Sequence, residues 1–156
     1  MKIKNIAKLI ILILICQMAG FFGSIFTSAS IPTWYATLEK PFFTPPNWLF
    51  VPVWLSLYTL MGISLYIILE KRSKKSKTAL SIFGIQLFLN AIWSYIFFGL
   101  KSPFYAFIEI IILYIVILIK IIKFYQISKK AGLLLIPYII WVTIATFLNF
   151  YIWILN

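Results

Sequence analysis

Five apolar runs, each close to twenty residues long, alternate with short polar links along this chain. They cover about residues 9–27, 49–69, 80–100, 104–123 and 133–155. At the rise of an α-helix, some twenty residues cross a hydrocarbon core of about 30 Å. Strands that cross a bilayer alternate apolar and polar side chains and are about half as long. The pattern therefore predicts an all-α integral membrane protein, one domain built as a five-transmembrane-helix bundle. Composition agrees: 63% of residues are hydrophobic and 11% charged, whereas a soluble domain is about one quarter charged. The first run follows MKIKNIAK and is longer than the apolar core of a secretory leader. No small residue precedes Cys16 in Leu14-Ile15-Cys16, so this run is read as a span and not as a leader or a lipid-anchored start.

The links carry an orientation signal. With five spans, the N-terminus, the second link and the fourth link share one side. That side holds Lys2, Lys4 and Lys8, then Lys71, Arg72, Lys74, Lys75 and Lys77, then Lys120, Lys123, Lys129 and Lys130. The other side holds Lys40 and Lys101. Twelve basic residues against two predict a cytoplasmic N-terminus, with the first link and the C-terminus outside. The net charge of +11 is read as this topology signal and not as a nucleic-acid surface.

Several chemistries are excluded outright. There is no histidine and one cysteine, Cys16. A His/Cys metal site, a histidine-based triad and an intrachain disulfide are all impossible. The acidic residues are Glu39, Glu70 and Glu109. Glu109 falls early in the fourth run, where an acid is costly, and is read as structural, within reach of Lys101 or the interface.

Three runs place aromatic and smaller residues at helical spacing. Gln86, Asn90, Trp93 and Phe97 line one face of the third. Tyr138, Trp141, Ala145 and Leu148 do so in the fifth, and Trp54, Tyr58, Met61 and Leu65 in the second. Each stripe alone suits a packed core, and Asn90 alone suits an interhelical hydrogen bond. Together, at overlapping depth, they predict a cavity that opens toward the first link. In the first run Ala19/Gly23 and Gly20/Ser24 give the spacing of a close helix contact, within the chain or with another copy.

The first link is the long one, about residues 28–48, and contains TWYATLEKPFFTPPNW. Pro41, Pro45 and Pro46 restrict its backbone. Trp34, Tyr35, Phe42 and Phe43 offer it aromatic faces. The expectation is an ordered lid made by Trp34, Pro41, Phe43, Pro45 and Pro46.

WYATLEKPFFTPPNWLFVPVWLSLYTLMG, with LNAIWSYIFFGL in the third run, Glu109 in the fourth and PYIIWVTIATFLNFYIW in the fifth, resembles the TSPO/MBR family of translocator and tryptophan-rich sensory proteins. The resemblance covers nearly the whole chain. It implies a five-helix bundle, often a homodimer, with a cavity capped by the first link. It implies binding of tetrapyrroles of the protoporphyrin type, of sterol-like molecules and of other flat hydrophobic ligands, with no obligatory cofactor. Its pocket positions fall on Tyr35, Trp54, Tyr58, Asn90, Trp93, Ser94, Trp141, Ala145 and Leu148. Trp54 and Trp141 match the tryptophans tied to light-dependent porphyrin breakdown. Two departures stand out. Phe43 replaces a frequent tryptophan, and the C-terminal sterol pattern keeps Leu148 and Tyr151 but ends at Asn156 without a basic residue. Without histidine, metal-free porphyrin is the more natural tetrapyrrole. A transporter and a regulatory membrane partner are the rival readings; no inverted repeat or central carboxylate cluster favours the first.

Overall fold

The structure, a computed structural model, describes residues 3–156. Lys2 and the side chain of Lys4, both used in the orientation signal, lie outside that description. The helices are α1 (Ile3–Ser30), α2 (Asn47–Glu70), α3 (Ser76–Ser94), α4 (Pro103–Ile127), the single turn α5 (Lys129–Leu133) and α6 (Ile136–Leu155). Five helical stretches are long and apolar enough to cross a membrane, with α5 and α6 acting as one. Large apolar side chains such as Phe21, Phe22, Phe88, Ile122 and Phe147 point outward, as a lipid-facing surface requires.

Two helices end in wide turns, and the first of them runs past its expected end. After Ser30 the chain continues as a π-turn, Ile31–Tyr35. Pro32 lacks an N–H and its ring crowds the preceding turn, and the wider turn absorbs both defects. Helix α3 ends the same way, in Tyr95–Gly99, where the Leu100 N–H reaches the Tyr95 carbonyl at 2.8 Å. The two π-turns meet. Ser30 Oγ donates to the Phe98 carbonyl at 2.8 Å, and the Tyr35 ring packs against Phe97 and Phe98.

The first link is consequently shorter than its sequence suggests. Helical turns persist through Thr37, and only residues 38–46 are non-helical. The link is tied to the far end of α6: the Glu39 N–H donates to Asn156 Oδ1 at 2.9 Å, Asn156 Nδ2 donates back to the Glu39 carbonyl at 3.0 Å, and Phe43 meets Tyr151 edge-on.

Around the bundle, α1 packs against α2 and α3, α3 against α4, and α4 against α6, while α5 touches α2. At Gly62 an added Cβ would lie 2.6 Å from Ile13 Cα. At Gly20 it would lie 2.5 Å from the Tyr58 ring, and at Gly23 2.8 Å from Ser94 Oγ. Gly20 and Gly23 thus serve close contacts inside the chain, while Ser24 of the same pattern is exposed. Lys8 pairs with Glu70 at 2.6 Å at the basic end, with both side chains exposed.

Two charged residues are placed differently from expectation. Lys120, counted above among the link charges, is fully buried in α4, which leaves eleven basic residues against two. Helix α4 runs on to Ile127, so Lys120 lies two turns inside it. Glu109 is buried, and neither carboxylate oxygen has a hydrogen-bond partner among the described residues; it reaches neither Lys101 nor the surface. A buried polar group without a partner is costly. Glu109→Met is therefore expected to stabilise the folded protein by roughly 1–3 kcal/mol, read as a higher midpoint of thermal unfolding in detergent.

Candidate functional site

A cavity of about 490 Å³ lies among α1, α2, α3 and α6. It exists because α2 and α6 do not pack backbone to backbone; large rings bridge them instead. Phe50 meets Trp141 edge-on at 5.8 Å, and Trp54 meets Tyr138 at 6.3 Å between centroids. All nine residues expected at a pocket line this space: Tyr35, Trp54, Tyr58, Asn90, Trp93, Ser94, Trp141, Ala145 and Leu148. The stripes bring them together as helical periodicity demands. The second wall comes from Gly20, Gly23, Ser24 and Thr27 of α1, whose small side chains leave the space open.

None of Trp34, Pro41, Phe43, Pro45 or Pro46 lines the cavity. Trp34 packs edge-on against Phe97, Phe43 sits on Tyr151, and Phe42 is fully exposed. Of the link, Ile31, Tyr35 and Asn47 line the cavity, while Trp34, Leu38 and Phe43 pack behind them and close the end of the bundle. The opening expected beneath the link is found at the side. Phe21, Val51 and Leu55 line the cavity and are also more than half exposed, so the mouth lies between α1 and α2. Toward the basic end these helices are held together by the Gly62–Ile13 contact and by Gln17, which donates to the Leu55 carbonyl at 2.9 Å and to Thr59 Oγ1 at 3.1 Å. Beyond Gln17 they line the opening. In a membrane, such a mouth faces acyl chains.

The aromatic walls are ordered by their neighbours. Tyr58 stacks on Trp54 at 5.4 Å, and Trp93 stacks on Phe97 at 5.1 Å. Trp93 Nε1–H donates to Asn149 Oδ1 at 3.1 Å, and Asn149 Nδ2 donates to the Pro103 carbonyl at 2.8 Å. Asn149 also lines the cavity. It was missed in the sequence although it falls four residues after Ala145, on the same face. Asn149→Leu strands both partners and is expected to cost about 1–2 kcal/mol, measured by thermal unfolding with Trp93 emission as the local probe.

The polar groups of the wall are few. Tyr35 is buried, and its hydroxyl has no hydrogen-bond partner among the described residues. Tyr58 Oη donates to Asn90 Oδ1 at 2.6 Å. Asn90 Nδ2 and Gln86 Nε2 both donate to Tyr138 Oη, at 2.6 and 2.7 Å. Lys120 Nζ donates to Gln86 Oε1 and sits 5.0 Å from the Tyr138 ring centroid and 5.1 Å from that of Phe83. Cation–π attraction thus holds the ammonium where a carboxylate would be expected. Gln86 and Tyr138, placed on pocket stripes by their spacing, face away from the cavity into this network. No cluster of metal-ligating side chains occurs among the described residues.

The class is now defined: a multi-pass helical membrane protein with an aromatic-walled internal cavity. The sequence profile of the TspO/MBR family matches residues 12–154, and the chain belongs to that family. It is 49% identical to the tryptophan-rich protein TspO of Archaeoglobus fulgidus over 97% of this chain and 99% of that one. The tryptophan-rich protein TspO of Chlorobaculum tepidum is 43% identical over 98% of each chain. The human translocator protein is 34% identical over 88% of this chain and 83% of that one.

Proposed function

We propose that the protein binds tetrapyrroles of the protoporphyrin type, and other flat hydrophobic ligands, in the cavity among α1, α2, α3 and α6. The observation that carries this reading is the wall itself. Three indoles, of Trp54, Trp93 and Trp141, face one space with only a few polar groups beside them. Its size falls in the range of small-molecule sites, about 300–1,000 Å³. The macrocycle lies against the indoles of Trp54 and Trp141, with Asn90, Tyr58 and Tyr35 available to its polar edge. Access is from the bilayer, between α1 and α2. The link at residues 38–46 braces the closed end of the bundle above the site.

The basic end is cytoplasmic in this reading, in a prokaryotic plasma membrane, and the link and C-terminus are outside. A homodimer would use a surface other than the Gly20/Gly23 face of α1, which Tyr58 and Ser94 already occupy. In light and dioxygen the bound macrocycle is the group oxidised, with Trp54 and Trp141 as the indoles beside it.

Titration of the detergent-solubilised protein with protoporphyrin tests the reading. Tryptophan emission is expected to be quenched saturably, and Trp54→Phe/Trp141→Phe to lose most of that affinity. Illumination separates binding from turnover: loss of bound porphyrin absorbance in wild type alone supports breakdown. Porphyrin flux into liposomes without such loss favours the transporter.

A further inference from the structure

Lys120 does not line the cavity, yet an unbroken hydrogen-bonded chain joins it to two residues that do. The order is Lys120, Gln86, Tyr138, Asn90, Tyr58. All five side chains are buried, Lys120 and Gln86 completely. An ammonium is a donor only. In that charged form Lys120 fixes the Gln86 carboxamide, with the oxygen toward Lys120 and the N–H toward Tyr138.

The remaining protons do not balance inside the protein. Tyr138 Oη receives N–H groups from both Gln86 and Asn90, so its own hydrogen has no acceptor in the chain. Turning the Asn90 carboxamide by half a revolution moves no bond beyond its present length. Tyr138 then donates to Asn90, Asn90 donates to Tyr58, and the Tyr58 O–H is released toward the cavity. Both hydroxyl hydrogens of the chain are then used, provided that an acceptor waits in the cavity. With Gln86 held by the ammonium, every dipole points the same way, and such bonds reinforce one another.

We propose that Lys120 is a specificity-determining, positioning residue: through Gln86, Tyr138 and Asn90 it makes Tyr58 a hydrogen-bond donor to a carboxylate on the bound ligand. Among the described residues the cavity wall has no charged side chain, so the oriented Tyr58 donor, with the unpartnered Tyr35 hydroxyl beside it, distinguishes an acid from an equally flat hydrocarbon. The proposal rests on the tetrapyrrole reading and refines it.

Two probes test it, a porphyrin dicarboxylic acid and an octaalkyl porphyrin of the same ring, titrated by quenching in identical detergent. In wild type the acid is expected to bind more tightly. Lys120→Met frees Gln86 to turn, and is expected to weaken the acid at least tenfold while changing the alkyl porphyrin less than twofold. Retained alkyl binding also reports a folded cavity. Lys120→Arg keeps a donor-only cation and is expected to recover part of the selectivity. If Lys120→Met does not fold, Tyr138→Phe breaks the chain at its centre and must give the same selective loss. Equal loss of both probes, or of neither, overturns the proposal and leaves the tetrapyrrole site standing. Wild-type protein that binds neither porphyrin overturns the tetrapyrrole reading and this proposal with it.

Discussion

Valine at position 62 is expected to separate α1 from α2 and leave little folded protein. The Cβ it introduces would sit 2.6 Å from Ile13 Cα and 2.9 Å from Ile13 N. Those are backbone atoms, so no rotamer change relieves the clash, and α1 itself must move. Overpacking a core usually costs about 1–3 kcal/mol, and more where the neighbour does not yield; a figure of about 3 kcal/mol or above is expected here. The displaced contact also holds the narrow side of the cavity mouth, so ligand affinity should fall with stability. Gly84→Ala is the matched control. Nothing lies within 4 Å of a Cβ there, and the gain in helix propensity, up to about 1 kcal/mol, should leave it neutral or slightly stabilised. The check is the yield of monodisperse protein and its unfolding midpoint; wild-type behaviour of Gly62→Val would sink the close-contact account.

Trp54→Phe/Trp141→Phe is expected to abolish most porphyrin affinity with little change in stability. Both indoles are only partly buried and line the cavity. Phenylalanine keeps an apolar ring in each place, so packing against Tyr58, Tyr138 and Phe50 survives in large part. What is lost is the wider π-face offered to a macrocycle, together with the contact area at the site's edges. Aromatic stacking contributes about 1 kcal/mol per pair beyond burial, and anchoring aromatics about 2 kcal/mol or more. Two such losses correspond to a fall in affinity of roughly 10²-fold or more. Trp93 remains in the wall as the fluorescent reporter. Unchanged binding in the double variant would mean that the ligand lies elsewhere.

Much of the site was legible from helical spacing alone. Trp54 and Tyr58, Asn90 and Trp93, Trp141, Ala145 and Leu148 fall on single faces, and helices carry those faces inward. Asn149 follows the same rule and was readable in principle. Three features were not. Lys120 stands near Lys123 at the end of an apolar run, and local sequence does not distinguish a buried lysine from one at the interface. The length of the first link was not legible, because Pro32 and the dense aromatics of IPTWY look like a break. A π-turn instead carries the helix to Tyr35 and Thr37 and leaves only residues 38–46 outside helical turns. The side opening depends on where α1 and α2 part company, which follows from Gly62 and Gln17 acting across two helices.

Sequence by itself determined the membrane class, the five spans and the inward aromatic stripes. Each follows from local physics: the length of apolar runs against the bilayer thickness, and the 3.6-residue period of the helix. Only tertiary structure decided which helices become neighbours, that rings and not backbones bridge α2 and α6, and that the cavity opens sideways. It also decided that Lys120 connects to that cavity through four hydrogen bonds. Those outcomes depend on contacts between residues far apart in the chain, where the fit of a glycine to a backbone or of an ammonium to two rings has no local signature.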